Sequence, residues 1–191
     1  MNPEKTVVLQ RDCDSIEIPS GTHRSLPAGT RVRIMQSLGG SYTVTTDVGA
    51  MYRIDARDSK ALGIPTPPQA EAIPAELSEQ SVRDQLKTVF DPEIPVNIVD
   101  LGLVYSCSIT PLPDSANRVD VKMTITAPGC GMANVLKADV EGKLSRLPNV
   151  KEVHVEVVFD PPWHPGMMSE AAKLQLGMDT DSEPDPRLRV L

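Results

Sequence analysis

Cys130 stands between two glycines in Thr126-Ala127-Pro128-Gly129-Cys130-Gly131-Met132, where an alternating apolar pattern gives way to one with helical spacing. A thiol at the start of a helix faces unpaired backbone N–H groups and the positive end of the helix dipole, which favours the thiolate. Thiolate is the form that binds soft metals or attacks electrophiles. Gly129 and Gly131 would let backbone N–H groups approach whatever the sulfur holds, and Thr126 offers a hydroxyl. The competing reading of Cys130 is a small buried residue at a tight turn.

The segment Phe159-Asp160-Pro161-Pro162-Trp163-His164-Pro165-Gly166-Met167-Met168 has no regular pattern but carries residues with specific uses. Trp163 is an amphipathic ring, His164 a candidate metal ligand or acid/base, and Met167 and Met168 are soft thioethers. The plainer reading is a rigid loop that closes a sheet edge with Trp163. Asp91-Pro92-Glu93 and Asp100 supply three carboxylates between the first helix of this half and its first strand. They are candidates for a supporting loop at the site, or else turn and capping groups that satisfy backbone N–H donors. Cys107 alternates with Leu103, Tyr105 and Ile109 and reads as core, while Cys13, in Arg11-Asp12-Cys13-Asp14, sits among carboxylates that would raise its pKa and keep it unreactive. His154 reads as a surface residue of a strand and His23 as part of a turn. No catalytic residue is assigned, and no Walker, GxGxxG, HExxH, GxSxG or CxxCH motif occurs.

These residues need elements to place them. Thr6–Leu9, Ser15–Ile18, Arg31–Met35, Tyr42–Thr46 and Met51–Ile54 are β-rich runs separated by Gly- and Pro-bearing turns, a pattern of a small all-β unit of the SH3-like barrel type over residues 1–62. Residues 63–76 carry Pro65, Pro67, Pro68 and Pro74 and read as a linker. Over 77–178 the expected order is α-β-β-α-β. Ser78 caps a helix whose face runs Val82, Leu86, Val89, Phe90; Leu101–Ile109 and Val119–Thr126 pair as a hairpin; Met132, Val135, Leu136, Val140, Leu144 and Leu147 mark the second helix; and Val153, Val155 and Val157 face inward from a third strand. The fold class is therefore α+β, a two-layer domain with a three-stranded sheet. The strand–Cys130 loop–helix–strand segment is a βαβ-like crossover, a place where such sheets often hold ligands. Ser169–Leu176 adds a short helix, and the acidic, aperiodic end at 179–191 reads as disordered.

Composition narrows the classes. Nineteen basic against 26 acidic residues give a net charge of -7, which disfavours nucleic-acid phosphates and anionic lipid as partners. No run of ~18 apolar residues and no signal-peptide pattern is present, so a cytoplasmic protein is expected. Three cysteines without a CxxC pair fit neither a disulfide framework nor a self-contained zinc site.

Through Asp91-Pro92-Glu93-Ile94-Pro95, Asp100-Leu101-Gly102-Leu103-Val104 and the Thr126–Cys130 loop, the second half resembles the metal–sulfur cluster biosynthesis family. The resemblance covers about Leu77 to Gly177. It implies an auxiliary, non-enzymatic factor in iron–sulfur cluster assembly or transfer to apo-proteins, linked to the SUF system, with Cys130 in the position of the family's reactive cysteine. Many relatives follow that cysteine with proline where this chain has Gly131. One thiol cannot fill four cluster-ligand positions, so iron or a cluster would be held transiently and with shared ligands, and no tightly bound cofactor is expected. The implied partners are iron–sulfur scaffold or carrier proteins, apo-protein targets and a second copy of the chain. The alternatives are a thiol enzyme with Cys130 as nucleophile and His164 or His154 as base, and a scaffold that binds through Trp163 and the proline loop.

Overall fold

The computed structural model describes residues 5–38, 40–66, 76–91, 94–127 and 132–178. Most of the Pro-rich 63–76 stretch and the whole 179–191 tail lie outside the described residues. The fold is mixed α/β, with two sheets and few helices.

The first sheet contains β1 (Lys5–Val8), β2 (Cys13–Ile18), β3 (His23–Leu26), β4 (Arg31–Leu38), β5 (Ser41–Thr46) and β6 (Met51–Asp55), hydrogen-bonded in the order β1-β4-β5-β6-β2-β3. Strands β4, β5 and β6 form the antiparallel meander that their turn residues predict. Strand β3 was not legible: His23 belongs to it and not to a turn. It pairs with β2 at the end of the sheet, where only Leu26 of its four residues is buried, so no apolar alternation marks it. A 3-10 helix, Ala56–Leu62, follows; Asp55 caps it through Oδ1 accepting from Arg57 N at 2.9 Å. Leu9, Cys13, Val32, Val44, Ile54, Ala61 and Leu62 make up the core of this unit.

The second sheet is β7 (Val104–Pro111), β8 (Asn117–Met123) and β9 (Val150–Val157), in that order. The hairpin is antiparallel, and β8 and β9 run parallel, joined by α2 (Ala133–Leu144). Helix α1 (Glu79–Leu86) precedes the sheet and α3 (Glu170–Gln175) follows it. Val82 and Leu86 of α1, Leu136, Val140 and Leu144 of α2, and Val119, Val121, Met123 and Val155 of the sheet share one buried cluster.

Several boundaries, and the face of one strand residue, differ from the sequence reading. Helix α1 ends at Leu86: Thr88 Oγ1 donates to Gln85 O at 2.7 Å, and Val89 and Phe90 pass into the turn beyond, where Phe90 bridges Asn97. Strand β7 starts at Val104, three residues late, because Gly102 takes a left-handed φ of 72° and interrupts extended backbone. An irregularity between Val104 and Ser106 then moves Tyr105 off the expected face, and Val104 packs against the core in its place. Strand β8 stops at Met123, and Thr124, expected on the polar side, is buried with its N–H donating to Leu103 O at 2.8 Å.

Candidate functional site

Parallel pairing brings the end of β8 beside the end of β9, Met123 opposite Val157, and antiparallel pairing sets the start of β7 against the same residue, Val104 opposite Met123. Three chain segments therefore meet at one end of the sheet: 97–105, 123–127 and 158–169. In sequence, the Cys130 loop follows Ala127, at this end of the sheet, and precedes Met132, immediately before α2. Ligands commonly bind at the carboxyl ends of such strands.

Cys130, Gly129 and Gly131 lie outside the described residues, as do Pro92 and Glu93. The remaining candidates have definite places. Thr126 is half-buried on the last turn before the loop. Asp100 lies in a tight turn: Asn97 Nδ2 donates to its Oδ2 at 2.6 Å, its own N–H donates to Asn97 Oδ1 at 2.9 Å, and its carbonyl accepts from Ser169 N at 2.8 Å. Asp91 is buried, and its Oδ1 accepts from Ile94 N at 3.0 Å, so this carboxylate shapes its own turn.

Trp163 packs partly buried against the main core and donates from Nε1 to Leu101 O at 2.8 Å. Its ring thus ties the proline segment to the turn that carries Asp100. A side chain on Gly102 would collide with the backbone of Met167, so glycine at that position lets the two segments lie against each other. His164 is exposed, and its carbonyl accepts from Met167 N at 2.9 Å. Among the described residues, no group of three or more His, Cys, Asp or Glu side chains comes together as a metal site.

The sequence reading missed two contributors. Tyr105, assigned to the core face, instead donates from its hydroxyl to Pro161 O at 2.6 Å, a second tie on the proline segment. Asn97 cradles Asp100 from both sides, and its Asn-x-x-Asp spacing with Asp100 was the available signal.

The other thiols are placed away from this end. Cys107 is half-buried against the second core. Cys13 is buried in the first, and its pKa is pushed up to about 12 by burial first and then by the Asp58 carboxylate. The expected inertness of Cys13 thus has a different main cause from the sequence-adjacent carboxylates: Asp14 raises the pKa too, but contributes least.

Residues 79–157 match the sequence profile of a family described as iron-sulfur cluster assembly protein. An "Fe-S protein maturation auxiliary factor" of Porphyromonas gingivalis is 42% identical over 100 residues, which cover 52% of this chain and 91% of the relative. The chain belongs to the iron–sulfur cluster assembly protein family. "Fe-S protein maturation auxiliary factor YitW" of Bacillus subtilis is 37% identical, over 54% of this chain and 97% of its own length. "Fe-S protein maturation auxiliary factor SufT" of Staphylococcus aureus is 38% identical, over 47% of this chain and 98% of its own. The family that the motifs around Asp91, Asp100 and Cys130 resembled is thus the one to which the chain belongs. These candidates fall within the matched residues, whereas Trp163, His164 and the entire six-stranded sheet fall outside them.

Proposed function

We propose that this chain is a non-enzymatic auxiliary factor in the maturation of iron–sulfur proteins, and that the Cys130 thiolate is a shared, transient ligand for iron or a cluster passed to apo-proteins. The observation that carries this reading is the match to maturation auxiliary factors over nearly their whole lengths. The name SufT on one of them supports a place beside the SUF system. The iron or cluster is cargo, and its other ligands come from a scaffold or carrier protein, an apo-target or a second copy of the chain.

The fate of the other thiols supports the choice of Cys130: Cys13 and Cys107 are committed to two different cores. One sulfur supplies one of about four cluster ligands. His164, exposed on the neighbouring proline segment, is the second candidate ligand. Asp91, Asp100 and Trp163 shape the turns of the supporting loops through their hydrogen bonds. Pro92, Glu93, Thr126, Gly129 and Gly131 complete the proposed set. The functional unit in this reading is 77–178, joined by a Pro-rich connection at 63–76 to a β unit at 1–62 of SH3-like type. A cytoplasmic site of action belongs to the same reading; no helix among the described residues is long and apolar enough to cross a membrane.

Anaerobic titration of the full chain and of Cys130→Ser with ferrous iron and sulfide tests the assignment. Charge-transfer absorption in the visible range is expected for the unaltered chain and at least about fivefold less for the variant, because a thiolate ligand is replaced by a hydroxyl. Equal spectra from both would overturn it.

A further inference from the structure

The curated relatives are matched over nearly all of their lengths by about half of this chain. The six-stranded sheet lies outside the family match, yet it is closely fitted to the matched unit, and its contacts concentrate on one element, α2. At the turn between β2 and β3, Gly21 has a φ of 72°, and a Cβ there would sit 2.6 Å from the backbone oxygen of Asn134 and 2.8 Å from its Cβ. The two backbones meet at the second residue of α2. Beside this contact Ile16 joins Val135 and Ala138 in a small buried cluster, with Ile18 and Met132 packed against it.

One turn further along, Arg53 of β6 and Asp139 of α2 form a buried ion pair, Nη2 to Oδ2 at 3.1 Å, and the same guanidinium donates to Phe90 O at 3.1 Å. The attraction is chiefly coulombic: among the described residues Arg53 Nε donates no hydrogen bond and Asp139 Oδ2 accepts none of good geometry. Lys143 Nζ lies 3.7 Å from the same Oδ2, and Arg146 Nη1 meets Asp55 Oδ2 at 2.9 Å near the helix end. Backbone contact, apolar packing and ion pairs thus follow one another along α2, from its first turn to just past its last.

We infer that the N-terminal sheet is a built-in clamp on α2: the β2–β3 hairpin fixes the first turn of the helix that follows the Cys130 loop in sequence. The first N–H groups of a helix have no intrahelical partners and its end frays first, so the contact at Asn134 holds the turn that is most easily lost. The extra sheet thereby acts on the family unit through α2 and not through a ligand of its own, and this clamp does not depend on the proposed role of Cys130.

Gly21→Ala tests this, with Gly29→Ala as its control. Both glycines have left-handed backbone, φ 72° and 84°, but only Gly21 has α2 against it; Gly29 has nothing within 4 Å. The strain of an added Cβ on a positive φ is therefore shared, and the collision with Asn134 is not. In the full chain, Gly21→Ala is expected to raise amide hydrogen exchange across residues 133–138 about tenfold or more, with β4–β6 still protected. Gly29→Ala should leave exchange across 133–138 unchanged. Unchanged exchange across 133–138 in a folded Gly21→Ala chain, or the same increase in Gly29→Ala, overturns the clamp. Failure of the functional reading shows elsewhere, as iron and sulfide spectra that Cys130→Ser leaves unaltered, and the exchange measurement stands regardless of it.

Discussion

At the scale of single residues, two of the chain's three thiols are committed to packing, Cys13 buried in one core and Cys107 half-buried against the other. Cys13, with its pKa pushed up to about 12 by burial and by Asp58, stays neutral over the working range. Below the ordinary thiol value of about 8.5 it is protonated folded and unfolded alike, so it adds no pH dependence there. Between that value and about 12 only the unfolded chain ionises, so this group lowers stability as pH rises through the window. Iodoacetamide at pH 8 should leave Cys13 unmodified in the native protein and label it after denaturation; labelling at equal rates in both states would contradict the burial account. Trp163 offers a second residue-scale test. Trp163→Phe removes the donor to Leu101 O while keeping most of the apolar packing, which should cost about 1 kcal/mol in urea unfolding. Glycine, cysteine and helix spacing singled out Cys130, which lies outside the described residues. The work of Asp91 and Asp100 was legible only as a pair of alternatives, because a carboxylate that caps a turn and one that faces a ligand have the same sequence.

At the scale of elements, the sequence patterns predicted the three strands and the α-helices of the family unit, and the errors fell where tertiary pairing decides. Val89 and Phe90 continue the apolar spacing of α1 but are taken by the turn to Asn97. Tyr105 fits the alternation of β7 but is displaced by an irregularity in the ladder, and it ties the proline segment down instead. Strand β3 left no trace because it lies at the end of its sheet with one buried side chain. The start of α1 was legible for a local reason. Ser78 Oγ accepts from Ser81 N at 3.0 Å and Ser81 Oγ accepts from Ser78 N at 2.8 Å, a reciprocal cap. Ser78→Ala should lower stability by about 1 kcal/mol, read from the urea midpoint with an unchanged slope.

At the scale of the whole molecule, a family unit of about a hundred residues carries a sheet that its matched relatives' lengths leave little room for, held by buried charge as well as by apolar contact. Nothing in the local sequence announced that Arg53 and Asp139 would meet, since 86 residues separate them and they lie on different elements. Arg53→Met leaves Asp139 buried with Lys143, at 3.7 Å, as its one remaining ion-pair partner among the described residues, and should cost about 3 kcal/mol. A cost below about 1 kcal/mol would show that apolar packing alone holds the two units together. The central claim, that Cys130 helps carry iron or a cluster to apo-proteins, is tested most directly by transfer. A cluster-loaded scaffold protein and an apo iron–sulfur acceptor would be mixed anaerobically with the full chain, with Cys130→Ser or with neither, and the appearance of holo-acceptor followed with time. Acceleration by the unaltered chain, with the variant no better than the buffer control, is the predicted result; equal acceleration by Cys130→Ser would contradict it.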